Sequence, residues 1–204
     1  MAKKNYRPKS RFKKEKKQNF QVSMIALMLT SFMISFFTIQ GQRESIKKVA
    51  GNQTILFLSK AAKPAQFIAQ KNDLYTSVML AQAVLESNNG QSQLSQKPYY
   101  NFFGIKGAYN GKAIILPTNE DDGKGNFYKV DAKFRHYGTR TNGFKDYAQV
   151  LSDPLYLRTH KSHTQTYEEA TQVLTGHYAT DTNYNQKLNH IISTYQLTLF
   201  DYPF

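Results

Sequence analysis

The sequence predicts an α+β protein in which a mainly helical lobe carries a small inserted β-hairpin lobe and is preceded by one transmembrane helix. Three observations lead there. Apolar residues recur at helical spacing before and after a central stretch. That stretch holds short β-prone runs separated by turn residues, and a long uncharged apolar segment follows a basic N-terminus.

The N-terminal elements are set by charge. Residues 1–17 carry nine Lys or Arg against one acid, in a chain of 204 residues with formal net charge +13. No charged residue occurs from Gln18 to Gln42, and residues 22–39 are mostly apolar. Crossing a bilayer takes about 20 apolar residues, so the segment is just long enough. A basic flank on one side only keeps that side cytoplasmic. The expected organisation is a basic cytoplasmic tail over 1–19, a transmembrane signal-anchor over 20–42, a linker or spacer helix over 43–62 and a folded domain over 63–204. That domain is expected outside the cell membrane. Residues 36–42 offer no small-residue cleavage pattern, which favours an uncleaved anchor. A basic run abutting an apolar segment fits orientation and anionic lipid, so no nucleic-acid partner is expected. The chain has no cysteine, which excludes disulfides, thiolate metal sites and a cysteine nucleophile.

Beyond the spacer, residues 63–70 read as an amphipathic helix begun by Pro64 near its first turn. A second helix is expected from Tyr75 to Ser87, stopped by Asn88, Asn89 and Gly90, which tolerate the left-handed conformation. Tyr75, Val78, Met79 and Gln82 recur at three- and four-residue spacing and share the side of Glu86. A lone acid is thereby held at the end of a half-buried helix. Burial raises a carboxyl pKa, which suits a general acid near neutral pH. Residues 113–116 and 127–130 are β-prone runs flanking the acidic, glycine-rich stretch 119–125, a hairpin pattern. Helical spacing returns over 142–151, 167–174 and 184–195. His160 and His163 lack a third ligand and read as surface residues. No nucleotide-binding glycine loop or G-x-S-x-G elbow occurs.

Four blocks, in order, carry a resemblance. They are Gln82-Ala-Val-Leu-Glu86-Ser87 with Gly90-Gln-Ser92, Asn101-Phe-Phe-Gly104-Ile-Lys106-Gly107, Phe134-Arg135-His-Tyr137, and Tyr178-Ala-Thr-Asp181 with Tyr184. Over residues 63–200 the chain resembles the bacterial glucosaminidase domain, glycoside hydrolase family 73, of the lysozyme-like enzymes. The resemblance implies a lysozyme-like fold and endo-β-N-acetylglucosaminidase activity on the glycan strands of peptidoglycan, with no metal or organic cofactor. It implies Glu86 as general acid and Glu120, ahead of the F-R-x-Y block, as second acid. Asp121, Asp122 and Asp131 compete for the second role. It implies substrate-binding roles for Asn101, Tyr137, Tyr178 and Tyr184, with Tyr178 nearest the reacting sugar. Phe102 and Phe103 are expected in the core, and Arg135 is expected to tie the β-lobe to the helices.

The sequence departs from the family at Asn88-Asn89, where an aromatic is common, at Gly138-Thr139, at Thr182 where proline is usual, and in having no tryptophan. Muramidase specificity and a non-catalytic wall-binding module of a division or export complex are the alternatives. Inverting, retaining and substrate-assisted mechanisms all stay open. No protein partner is named by the sequence.

Overall fold

The computed structural model describes residue 38 and residues 52–121 and 127–203. The basic tail lies outside the described residues, and so does the expected anchor apart from Thr38. Among the described residues no helix is long and apolar enough to cross a membrane. Residues from Asn52 onward form one compact unit.

Helix α1, Gln53–Lys71, begins eleven positions before the expected proline start, and Pro64 lies inside it. The start is set by Asn52, whose side chain accepts from the backbone N–H groups of Thr54 and Ile55. Leu58, Ala61 and Ala62 are buried along with Ala65, Ile68 and Ala69, so α1 runs unbroken across the expected boundary between residues 62 and 63. The spacer and domain periodicities are one periodicity.

Helix α2, Thr76–Glu86, is the centre of the fold. It packs against α1, against α5 (Tyr184–Thr194) and against the 3₁₀ segment Leu197–Asp201, with lighter contact to α4 (Tyr167–Leu174). Every residue from Thr76 to Val84 is buried, so the helix is enclosed on all sides rather than half-buried. Tyr75 caps its N-terminus without a side-chain bond. Asp201 supplies the cap instead, accepting the Ser77 N–H at 2.9 Å from 124 positions away. At the other end Asn88 adopts φ 50°, and the N–H groups of Asn88 and Asn89 reach back to the carbonyls of Leu85 and Val84. This is a Schellman closure, and it makes Glu86 the last helical residue. Ser87 Oγ accepts the Gly90 N–H at 2.7 Å, and Thr54 Oγ1 donates to Asn89 Oδ1 at 2.7 Å, fixing the turn to α1.

The β-lobe is one antiparallel hairpin of β1, Ala113–Asp121, and β2, Phe127–Arg135, in register from Ala113↔Arg135 to Asp121↔Phe127. Both strands run past the expected β-prone cores, and residues 122–126 lie outside the described residues. Glu120 is therefore a strand residue opposite Tyr128, not a turn residue. Alternation along β1 is clear: Ile114, Leu116 and Thr118 are half-buried, while Ala113, Ile115 and Pro117 are exposed. Asp131 lies opposite Pro117 on β2 and is exposed. The Glu120 side chain itself lies outside the described residues.

Helix α3, Arg140–Val150, packs on α1 and buries Phe144, Tyr147 and Ala148. His160 lies between two short 3₁₀ segments, bridged to Leu74, and the exposed His163 ends the second of them, so the two do not share one helix.

Candidate active site

Glu86 emerges where α2 ends. Glu86 is exposed as a residue, while the protein packed around its carboxyl partly desolvates it. Oε1 accepts a hydrogen bond of 2.6 Å from the hydroxyl of Tyr184, at the start of α5. The surrounding protein raises the Glu86 pKa, and the Tyr184 hydrogen bond only partly opposes that. A proton is thus retained to higher pH than on an ordinary glutamate. Burial, together with the facing Glu86 charge, pushes the Tyr184 hydroxyl far above its usual range, so it stays a donor.

A second layer stands behind this pair. Gln82, one turn back on α2, donates from Nε2 to the Tyr184 oxygen at 2.9 Å, and Tyr147 of α3 donates its hydroxyl to Gln82 Oε1. Gln82 and Tyr147 are wholly buried. The sequence placed Gln82 on the side of Glu86 but gave Tyr147 only as an apolar helix position. Its spacing to Phe144 and Leu151 carried no sign of a polar partner on another helix.

The expected substrate-binding residues divide into two pairs. Tyr178 and Tyr184 come together beside Glu86, rings stacked with centroids 6.2 Å apart and planes 17° apart. Tyr178 is half-buried, and its hydroxyl donates to the Phe103 carbonyl at 3.0 Å. Tyr184, only 3% exposed, positions Glu86 and offers little face to a sugar.

Asn101 and Tyr137 are buried and bonded within the protein. Asn101 is 1% exposed, and its amide is spent internally. Oδ1 accepts the Ile105 N–H at 3.0 Å, and Nδ2 donates to the carbonyls of Ile105 at 2.9 Å and Arg135 at 3.0 Å. It closes the Asn101–Ile105 loop and pins it to β2, which leaves no donor for a substrate. Tyr137 is 3% exposed and donates to Asp146 Oδ2 at 2.6 Å, the same oxygen that Arg135 Nη1 meets at 2.7 Å. Both are structural ties. Arg135 does join β2 to α3, as expected, and Phe102 and Phe103 lie in the core at 2% and 3% exposure.

A separate basic concavity lies behind the Asn88–Gly90 turn, lined by Lys60, Lys97, Tyr100 and Arg140 among others, and Glu86 is not part of it. Chemistry, not depth, locates the candidate site. A carboxyl with a raised pKa, one oxygen held and one free, can deliver a proton to a leaving oxygen.

Known proteins resemble this chain. The family model described as glucosaminidase, mannosyl-glycoprotein endo-beta-N-acetylglucosaminidase, matches residues 62–197. A probable N-acetylmuramidase of Lactococcus lactis subsp. lactis is 45% identical over 166 residues, 78% of this chain and 38% of that protein. The exo-glucosaminidase LytG of Bacillus subtilis is 30% identical over 202 residues, covering 93% of this chain and 69% of that protein. The crystal structure of the catalytic domain of the autolysin Auto from Listeria monocytogenes superposes with a TM-score of 0.69 at 38% identity, covering 79% of this chain and 96% of that one. The chain thus spans 38% of the length of the Lactococcus relative. The helical body with a small antiparallel sheet is the lysozyme-like fold of these hydrolases.

Proposed function

Since the chain belongs to the glucosaminidase family of glycoside hydrolases, we propose that it is a peptidoglycan hydrolase that cleaves β-1,4 bonds of the glycan strands after N-acetylglucosamine, with Glu86 as general acid. The observation that carries this reading is the Glu86 carboxyl at the open end of α2, with Oε1 bound to Tyr184 and the pKa raised. Protonation of the glycosidic oxygen by Glu86 turns a poor leaving group into a good one as the bond breaks. The oxocarbenium-like transition state then needs a carboxylate or the substrate's own N-acetyl group. Glu120 is the proposed second acid, on its match to the family's acid ahead of the F-R-x-Y block. Tyr178 is the proposed sugar platform, with an apolar face for a pyranose ring.

The name of the Lactococcus relative favours a second reading, cleavage after N-acetylmuramic acid. A digest of purified peptidoglycan, with borohydride reduction and mass spectrometry of the products, separates the two. Reduced N-acetylglucosamine ends support the first reading and reduced muramic acid ends the second. The absence of new reducing ends from folded protein overturns both.

The proposed location is the cell membrane, with the basic tail inside, residues 20–42 as a single-pass anchor and the catalytic domain facing the wall. Of the net charge of +13, residues 1–17 carry +8, and the +5 that remains beyond the tail suits a polyanionic wall. A protein lacking residues 1–42 is expected to digest purified wall but to leave the membrane fraction. Retention in that fraction contradicts the anchor.

A further inference from the structure

We propose that Tyr147, acting through Gln82 and Tyr184, is a positioning residue that fixes which oxygen of Glu86 carries the catalytic proton. The inference rests on the reading of Glu86 as general acid and extends it to a residue that touches no substrate.

The argument follows the direction of each hydrogen bond. The Tyr147 ring is stacked on Phe103, centroids 3.9 Å apart and planes 19° apart, so its hydroxyl has a fixed origin. The ring is wholly buried, and its single proton goes to Gln82 Oε1. A glutamine amide accepts on one side and donates on the other. Once Oε1 is committed to Tyr147, Nε2 must face the Tyr184 oxygen, as it does at 2.9 Å. Having accepted from Gln82, Tyr184 directs its own proton to Glu86 Oε1 at 2.6 Å. If Glu86 instead donated from Oε1 to Tyr184, the Tyr184 hydroxyl would accept two protons and its own would be left buried without an acceptor, a costly arrangement. The Glu86 proton is therefore driven to Oε2, the oxygen not held by Tyr184. Every donor in the chain points the same way, and Tyr147 sets that direction. Without its hydroxyl the Gln82 amide can turn over, Tyr184 can donate to Gln82, and Oε1 loses its donor.

Tyr147→Phe keeps the ring and its stacking and removes only the hydroxyl. The expected result is a roughly tenfold fall in the rate of peptidoglycan digestion, the scale of one hydrogen bond to a charged group. The pKa of Glu86 is expected to rise, because its carboxylate loses a stabilising donor. The alkaline limb of the rate profile moves up with it. A carbon-13 titration of the labelled Glu86 carboxyl reads the same shift whether or not the enzyme turns over, so a failure of the catalytic reading is seen separately. Tyr147→Phe combined with Tyr184→Phe should be no worse than Tyr184→Phe alone, since both lie on one path. Folded Tyr147→Phe with an unshifted Glu86 titration overturns the proposal. So does a double variant whose losses multiply.

Discussion

The hydroxyl of Tyr184 meets Oε1 of Glu86 at 2.6 Å across 98 positions of sequence, joining the first residue of α5 to the last residue of α2. Two opposing influences converge on one carboxyl there. The protein around it disfavours the charge, and the hydroxyl favours it, with burial the larger influence. Tyr184→Phe removes the weaker influence and leaves the stronger. The Glu86 pKa should then rise further, and the alkaline limb of the rate of wall digestion should move to higher pH. A pH–rate profile of the variant checks this, and an unmoved limb contradicts the assignment.

Stability should depend on pH through the same group. The folded pKa of Glu86 lies above its ordinary 4.5, so between the two values the native state binds more protons than the unfolded chain. The contribution of this group to stability therefore falls as pH rises through that window, and the penalty is complete above the folded pKa. Glu86→Gln should accordingly melt higher than the wild type at pH 7, with the gap closing as pH drops below 4.5. Thermal melts at several pH values test the sign.

Tyr137 and Asp146 make a third expectation. Asp146 accepts from both the Tyr137 hydroxyl and Arg135, and is 9% exposed. Asp146→Ala strands a cation and a buried hydroxyl together and should cost about 3 kcal/mol. Tyr137→Phe removes one hydrogen bond and should cost about 1 kcal/mol, with wall digestion per folded molecule unchanged. Urea unfolding and activity on the same samples decide it. A weakened substrate interaction in Tyr137→Phe without loss of stability would restore the substrate-binding role that its burial argues against.

Gly143, inside α3, is set by space rather than by backbone conformation. A Cβ there would lie 2.4 Å from the Tyr100 carbonyl oxygen, a backbone atom that cannot swing aside. Alanine gains about 1 kcal/mol over glycine in a helix, and overpacking of this kind costs about 1–3 kcal/mol. Gly143→Ala should therefore destabilise on balance, because α3 must draw away from the Tyr100 loop. A variant as stable as the wild type in urea contradicts this packing.

What the sequence revealed follows the range of the interactions involved. Glu86 was legible because its support is local: the apolar residues before it and the Asn88-Asn89-Gly90 stop lie within a few turns. Helix α4, Tyr167–Leu174, was legible for the same reason, its strong amphipathicity bounded by the Thr166 cap. The start of α1 was hidden because Pro64 reads as a helix starter, while the residue that caps the helix, Asn52, lies outside the apolar pattern. The internal partners of Asn101, Tyr137 and Tyr184 were hidden for one shared reason. Amides and hydroxyls suited to a sugar are equally suited to a buried carbonyl or carboxylate. Which partner they take is decided by residues as distant as Arg135 for Asn101 and Glu86 for Tyr184. Tyr147 was invisible as a polar residue until α2 and α3 were set side by side.

The most direct test is the digestion of purified peptidoglycan by Glu86→Gln beside the wild type, both shown to be folded by circular dichroism. The variant keeps the size and shape of the side chain and cannot deliver the proton. The account predicts a loss of at least about a hundredfold in the rate at which new reducing ends appear, the contribution of a positioned general acid. A folded Glu86→Gln protein that digests peptidoglycan at the wild-type rate would contradict it.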